Sequence, residues 1–133
     1  MFADNAFDAA TLDAMDGPFA AWLQPRLEDG RYFGFMAEDA GAVVSGIGLM
    51  LVDWPPHPLH PVNSERGYIL NVYVEPAYRG TGLAVELMRR GVEEFARRGV
   101  VYATLHASAM GRPVYEKLGW GGTTEMEIGR AHV

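Results

Sequence analysis

Cysteine is absent from the sequence, which excludes a disulfide framework, a thiolate nucleophile and a cysteine-ligated zinc site. Nor is there an apolar run near the ~20 residues that a helix needs to span a bilayer. The first residues, Met1-Phe2-Ala3-Asp4-Asn5, carry neither the basic nor the apolar region of a secretory signal. A cytoplasmic protein with no membrane partner is the expectation. Positive charge is in short supply: 11 Lys and Arg stand against 17 Asp and Glu, for a formal net charge of −6. Nucleic-acid binders present a basic face to phosphate, so no nucleic-acid partner is expected. An acidic balance suits a cationic ligand such as an amine, through long-range attraction. Repeats and low-complexity tracts are missing too. What remains is 133 residues, 49% apolar and 21% charged. That predicts one domain, 1–133, large enough for its own core.

Leu12, Met15, Phe19, Trp22, Leu23 and Leu27 recur near a 3.6-residue period. They predict a helix from Asp8 to Asp29, broken or kinked at Gly17-Pro18 and Pro25 and closed by Gly30. Tyr32 to Glu38 and Ala42 to Val52 read as strands joined by a turn at Asp39-Ala40-Gly41. Gly46 and Gly48 in the second strand predict a bulge or a close approach by another group. Pro55, Pro56, Pro58 and Pro61 exclude a central strand between Asp53 and Arg66. That segment reads as a long ordered loop, of the kind that often carries function.

Gly67 to Val74 is the next predicted strand. Gly82 to Arg98 is the strongest helix, with Leu83, Leu87, Val92 and Phe95 on one face and mostly charged residues on the other. Val100 to His106 reads as a strand, Arg112 to Leu118 as a short helix and Thr123 to Ile128 as a last strand. The unit from Gly67 to His106 predicts a parallel crossover, while the hairpin before it is antiparallel. The fold class is therefore α+β, with a mixed, mostly antiparallel sheet flanked by helices and not a doubly wound parallel one.

Arg79-Gly80-Thr81-Gly82-Leu83-Ala84 lies just before the strongest helix. Glycine lets the backbone turn with no Cβ in the way. The free amides of a helix's first turn bind anions, and a pyrophosphate is the obvious guest. A phosphate-binding P-loop needs a Lys after the second glycine, and none follows here. A dinucleotide-binding Gly-x-Gly-x-x-Gly needs a third glycine where Val85 stands.

The stretch Tyr68-Ile69-Leu70-Asn71-Val72-Tyr73-Val74-Glu75-Pro76-Ala77-Tyr78-Arg79-Gly80-Thr81-Gly82-Leu83-Ala84 resembles the central motif of the GNAT (N-acetyltransferase) superfamily. Gly111-Arg112-Pro113-Val114-Tyr115-Glu116-Lys117-Leu118-Gly119-Trp120 is similar to that family's second signature. The resemblance covers roughly Tyr32 to Ile128. It implies a GNAT-like fold and an acetyl-CoA-dependent N-acetyltransferase acting on a primary amine by direct attack in a ternary complex. The other reading is a catalytically inactive CoA-binding regulatory or interaction module. Two departures stand out: Ser108 replaces a frequent Asn, and Gly111 a frequent Ala. The family's usual first strand is not evident. That leaves an open sheet edge beside Tyr32 to Val52, and open edges are commonly covered; a homodimer is expected to cover it.

The resemblance further implies that Val72 and Val74 pair by main chain with the pantetheine arm of acetyl-CoA. An amide near Val72 would then act as oxyanion donor. Arg79, Gly80, Thr81, Gly82, Leu83 and Ala84 would hold the pyrophosphate, with Ser108, Arg112 and Tyr115 as further cofactor contacts. Tyr115 matches the position of the acid that protonates the leaving thiolate. For the base, Glu75 follows the central strand and is the first choice. Asp53, His57, His60, Glu65 and His106 are alternatives. Asn71, Trp54 and His57 are candidate acceptor contacts. His57 and His60 form a His-x-x-His in a proline-rich loop with no obvious third ligand, so no metal is expected.

Overall fold

Neighbouring side chains on a strand point to opposite faces, and that alternation sorts the molecule into layers. Phe33 meets the ring of Phe95 edge-on at 6.0 Å. Tyr32, the residue before it, meets Trp22 edge-on at 6.0 Å on the other side. The computed structural model describes residues 9–109 and 111–129. Its elements are α1 (Ala9–Asp29), β1 (Tyr32–Asp39), β2 (Ala42–Asp53), β3 (Glu65–Val74), a short 3-10 turn (Pro76–Tyr78), α2 (Leu83–Arg97), β4 (Ala103–Leu105) and α3 (Arg112–Lys117). Trp22 belongs to α1 and Phe95 to α2, so the two long helices lie against opposite faces of the sheet.

The 4-stranded sheet has the order β1-β2-β3-β4. β1 with β2 and β2 with β3 are antiparallel, and β3 with β4 is parallel. The mixed, mostly antiparallel sheet is thus as expected. The core forms where Ile47, Leu49 and Ile69 of the sheet meet Leu87, Met88 and Phe95 of α2. The opposite face of α2 is laced by solvent-exposed pairs such as Glu86 with Arg90 at 3.1 Å, and pairs of this kind add little to stability.

Three expectations need correction. The first helix is not broken at Gly17-Pro18 or Pro25; α1 runs continuously, with both prolines inside it. Each proline removes one backbone bond, but Leu12, Met15, Phe19, Trp22 and Leu23 stay half-buried along one side, and that continuous face keeps the helix in register. Asp8, its expected first residue, lies outside the described residues. The strand expected from Val100 to His106 shrinks to Ala103–Leu105, because its pairing with β3 extends over only that length. The last strand, Thr123 to Ile128, is absent. That segment runs without sheet pairing, with Met126 and Ile128 exposed. Alternation makes a segment fit to be a strand, but a ladder needs a neighbour.

The bulge expected near Gly46 and Gly48 is present, and its cause lies on β3. The β2–β3 register shifts between Gly46 and Gly48, with Gly46 opposite Tyr73 and Gly48 opposite Leu70. Asn71 supplies the extra residue with φ 58, a left-handed conformation that Asn tolerates better than most side chains. Its amide donates to Tyr32 Oη at 3.0 Å. Tyr32 reaches it by crossing over Gly48, where a Cβ would stand 2.0 Å from the same oxygen. Replacing Asn71 with Val is expected to destabilise by about 1–3 kcal/mol, since a β-branched residue resists that φ. Asn71→Gly should cost less, because it keeps the backbone and loses one hydrogen bond. Urea denaturation of both variants would check the order; equal losses would show that the conformation of residue 71 does not matter.

Candidate functional site

β3 and β4 are hydrogen-bonded neighbours only from Gly67–Ala103 to Ile69–Leu105. β3 continues to Val74, so the two strands part like a fork just past Ile69, next to the Asn71 bulge. The amide of Glu75 donates to Val44 O of β2 at 2.8 Å. Backbone groups alternate in direction along a strand, so those of Val74 and Val72 face the opposite way, into the fork. Val72 packs its side chain against the α2 core. Its main chain is thus presented to the gap while its side chain anchors the strand.

The strand leads into the open tip of α2. Gly80 and Gly82 take φ 79 and φ 86, left-handed values that glycine adopts without strain. Gly82 is the N-cap of α2 and no side chain caps the helix start. The first intrahelical bond runs from Glu86 N to Gly82 O at 3.0 Å, leaving the amides of Leu83, Ala84 and Val85 without a helical acceptor. A Cβ built on Gly80 or Gly82 meets nothing within 4 Å, so the space above the tip is open. Thr81 Oγ1 donates to Tyr78 O, and Arg79 Nε donates to Val74 O at 3.2 Å. These two bonds tie the turn back to the end of β3. Arg79 thereby stands between the fork and the helix tip, where its charge favours an anion.

Tyr115 reaches the site from α3. Its ring packs against the α2 core, and burial raises its pKa above the ordinary phenol value, so it stays protonated. Ser108 accepts from the Gly111 amide through Oγ at 3.1 Å, and its carbonyl accepts from Arg112 N at 2.9 Å. It therefore shapes the entry to α3. Arg112 is exposed and pairs with Glu116 at 3.3 Å.

A broad, open concavity of about 1500 Å3 runs along the outer side of β4. Trp54, Arg66, Tyr102, His106, Arg112 and Tyr115 are among its lining residues. It does not include the α2 tip. The two openings are distinct, with Tyr115 and His106 on the concavity's fork side. His106 is exposed directly after β4, and its Nδ1 is hydrogen-bonded to Tyr68 Oη. Burial, and secondarily the charge of Glu125, raise the pKa of Tyr68. Glu75 stands at the other end of the fork, where β3 ends. Asp53 and Glu65 face each other at the far end of the β2–β3 ladder.

The proline-rich loop is held by its histidines. His57 and His60 form an antiparallel bridge. Leu59 N donates to His57 Nδ1 at 3.1 Å. His60 is fully buried, with Nδ1 at 3.0 Å from Asn63 O and Nε2 accepting from Arg66 Nε at 2.8 Å. Both nitrogens are engaged, so His60 is not available as a base. Among the described residues no group of three or more metal-ligating side chains could hold an ion. Arg66 lies over the rings of Trp54 (4.2 Å) and Tyr102 (4.7 Å). Sequence reading missed the roles of Arg66, Tyr102 and Tyr68. The apolar-polar alternation of β3 put Arg66 and Tyr68 on one face, but only the fold supplies their partners.

Similarity to known proteins follows the geometry. The model of the acetyltransferase (GNAT) family matches residues 3–120. Among solved structures, a GCN5-related N-acetyltransferase from Ralstonia eutropha JMP134 is 53% identical with a TM-score of 0.93, covering 98% of this chain and 86% of that one. A predicted acetyltransferase from Clostridium acetobutylicum, solved with acetyl-CoA, is 29% identical with a TM-score of 0.83, covering 90% of this chain and 77% of the other. An aminoglycoside 6'-N-acetyltransferase from Acinetobacter haemolyticus shares the fold at 15% identity and a TM-score of 0.68, covering 85% and 79%. No curated protein sequence matches the chain. An open helix tip joined to a forked strand pair, and a family model matching most of the chain, lead to one conclusion: this protein belongs to the GNAT acetyltransferase family.

Proposed function

We propose that the protein transfers an acetyl group from acetyl-CoA to a primary amine by direct attack in a ternary complex. The observation that carries this reading is the continuity of an uncapped, glycine-started helix tip with the unpaired edge of β3. The amides of Gly80 to Ala84 hold the pyrophosphate, with Arg79 beside them. Val72 and Val74 pair with the pantetheine arm, and the Val72 amide polarises the thioester carbonyl. Ser108 and Arg112 border the same ligand from the α3 side. The neutral amine attacks the carbonyl carbon, and collapse of the tetrahedral adduct breaks the C–S bond. Tyr115 gives its phenolic proton to the leaving sulfur, and its raised pKa keeps that proton in place beforehand. The amine's proton leaves to Glu75 through water, or to His106. Trp54 and His57 border the acceptor side, and Asn71, bonded to Tyr32, holds the strand backbone beside the fork.

Absence of cysteine supports direct transfer over an acyl-enzyme on sulfur. No helix among the described residues is long and apolar enough to cross a membrane, in keeping with a cytoplasmic enzyme. β1 ends the sheet among the described residues, and a second copy covering that edge gives a homodimer; a monomer by sedimentation would remove this part.

Tyr115→Phe is expected to lower kcat by about 10²–10⁴-fold with CoA affinity unchanged. In the wild type the loss of the acid sets in only as pH rises past a value above the usual ~10 of tyrosine. Full activity in the variant would sink the acid role. The double variant Arg79→Glu, Gly82→Asp should lose CoA binding by calorimetry. Retained affinity would place the cofactor elsewhere. CoA binding without acetyl release over a broad amine panel would instead favour a binding module.

A further inference from the structure

Arg66 is held more tightly than a surface arginine needs to be. Two aromatic faces sandwich its guanidinium, Trp54 at 4.2 Å and Tyr102 at 4.7 Å. Its Nε donates to Nε2 of the fully buried His60 at 2.8 Å. His60 is fixed in turn by Asn63 O through Nδ1 at 3.0 Å, and Asn63 Nδ2 donates to Gly99 O at 3.2 Å. One edge of the guanidinium is thus anchored through the loop to the end of α2. The terminal nitrogens carry no hydrogen bond or ion pair to any described residue. They belong to a residue lining the open concavity that also contains His106 and Tyr115.

A stacked guanidinium with its outer N–H groups free is a fork for a planar or tetrahedral oxyanion. Stacking fixes the plane and leaves its edge available. In a chain of net charge −6, an unpaired arginine turned to an open cavity is not explained by solubility. We infer that Arg66 is the acceptor's anion anchor: the amine acetylated at the Tyr115 end of the concavity carries a carboxylate or phosphate that Arg66 binds. This rests on the acetyl-transfer reading above and adds the acceptor's chemical class.

The geometry also sets a length. Arg66 lies three residues before Ile69, the last β3 residue paired with β4, or about 10 Å along the strand at ~3.3 Å per residue. The acceptor's amine and anion are therefore separated by several bonds, as in an ω-amino acid, and are not adjacent as in a simple α-amino acid reacting at its α-nitrogen.

The test compares 6-aminohexanoate, 6-aminohexyl phosphate, glycine and uncharged hexylamine as acceptors with acetyl-CoA, following release of free thiol. The two six-carbon anions should exceed hexylamine and glycine in kcat/KM by tenfold or more, and the better of them identifies carboxylate or phosphate. Arg66→Lys keeps the charge but loses the planar fork, and Arg66→Gln loses both. Each should raise KM for the preferred anion at least tenfold with kcat, hexylamine turnover and CoA affinity unchanged. If Arg66→Gln lowers the melting temperature, Arg66→Lys alone is used for the comparison. Equal use of hexylamine and the anions by the wild type would overturn the proposal. So would variants that lose stability but keep the acceptor preference, which would make Arg66 a staple for the loop. Should no amine be acetylated, the acetyl-transfer reading fails, and calorimetric titration of 6-aminohexanoate and of 6-aminohexyl phosphate into the CoA-loaded protein still decides this one. Binding lost in Arg66→Lys supports the anchor, and no binding to the wild type refutes it.

Discussion

One backbone conformation, the left-handed φ of Asn71, governs the architecture of the site. A strand that stayed regular through this point could keep its alternation beside β4. The extra residue shifts the β2–β3 register instead, and past Ile69 β4 no longer follows. Past Ile69, β3 stays paired with β2 while its other edge, toward β4, has no strand partner among the described residues. Main-chain donors in a sheet are strong and obligatory hydrogen-bonding groups, so an edge inside a fold needs a partner. The bulge creates that need one strand-length from a helix tip whose own amides are unsatisfied, and the two demands lie along a single path.

Charge is distributed in keeping with this path. The protein is acidic overall, yet Arg79 stands just before the tip of α2 and Arg66 lines the concavity. Arg89, Arg90 and Arg97 of α2, and Arg98 at its C-cap, pair with Glu86 or Glu94. Carboxylates on that helix neutralise its own cations, so in the proposed reaction the net negative field draws the amine while Arg79 and Arg66 hold anionic groups. Long-range and short-range electrostatics thus do different jobs.

What could be read from the sequence was what is local. The α2 face and the glycine turn before it are written in consecutive residues, and both stand where expected. The hairpin and the parallel crossover follow from strand spacing. The terminal strand was misread because Thr123 to Ile128 has the right alternation but no neighbour to complete a ladder, and alternation carries no information about partners. The prolines of α1 do not break it, because a breaker's cost is local, whereas the half-buried stripe that overrides it spans the helix. His57 and His60 were candidates for chemistry. His60 instead fastens a loop, a role that depended on Asn63 and Arg66 arriving at its two nitrogens. The Tyr32–Asn71 bond joins residues 39 apart, beyond the reach of any periodicity.

That bond extends the influence of the first helix. Trp22 of α1 rests edge-on against the ring of Tyr32, and Tyr32 in turn steadies the residue that opens the sheet. The arrangement links two rings, Trp22 and Tyr32, through the Asn71 amide to the strand backbone beside the gap. A helix with no buried residue of its own is therefore coupled to the backbone that lines the fork, and a push on α1 is passed on to it.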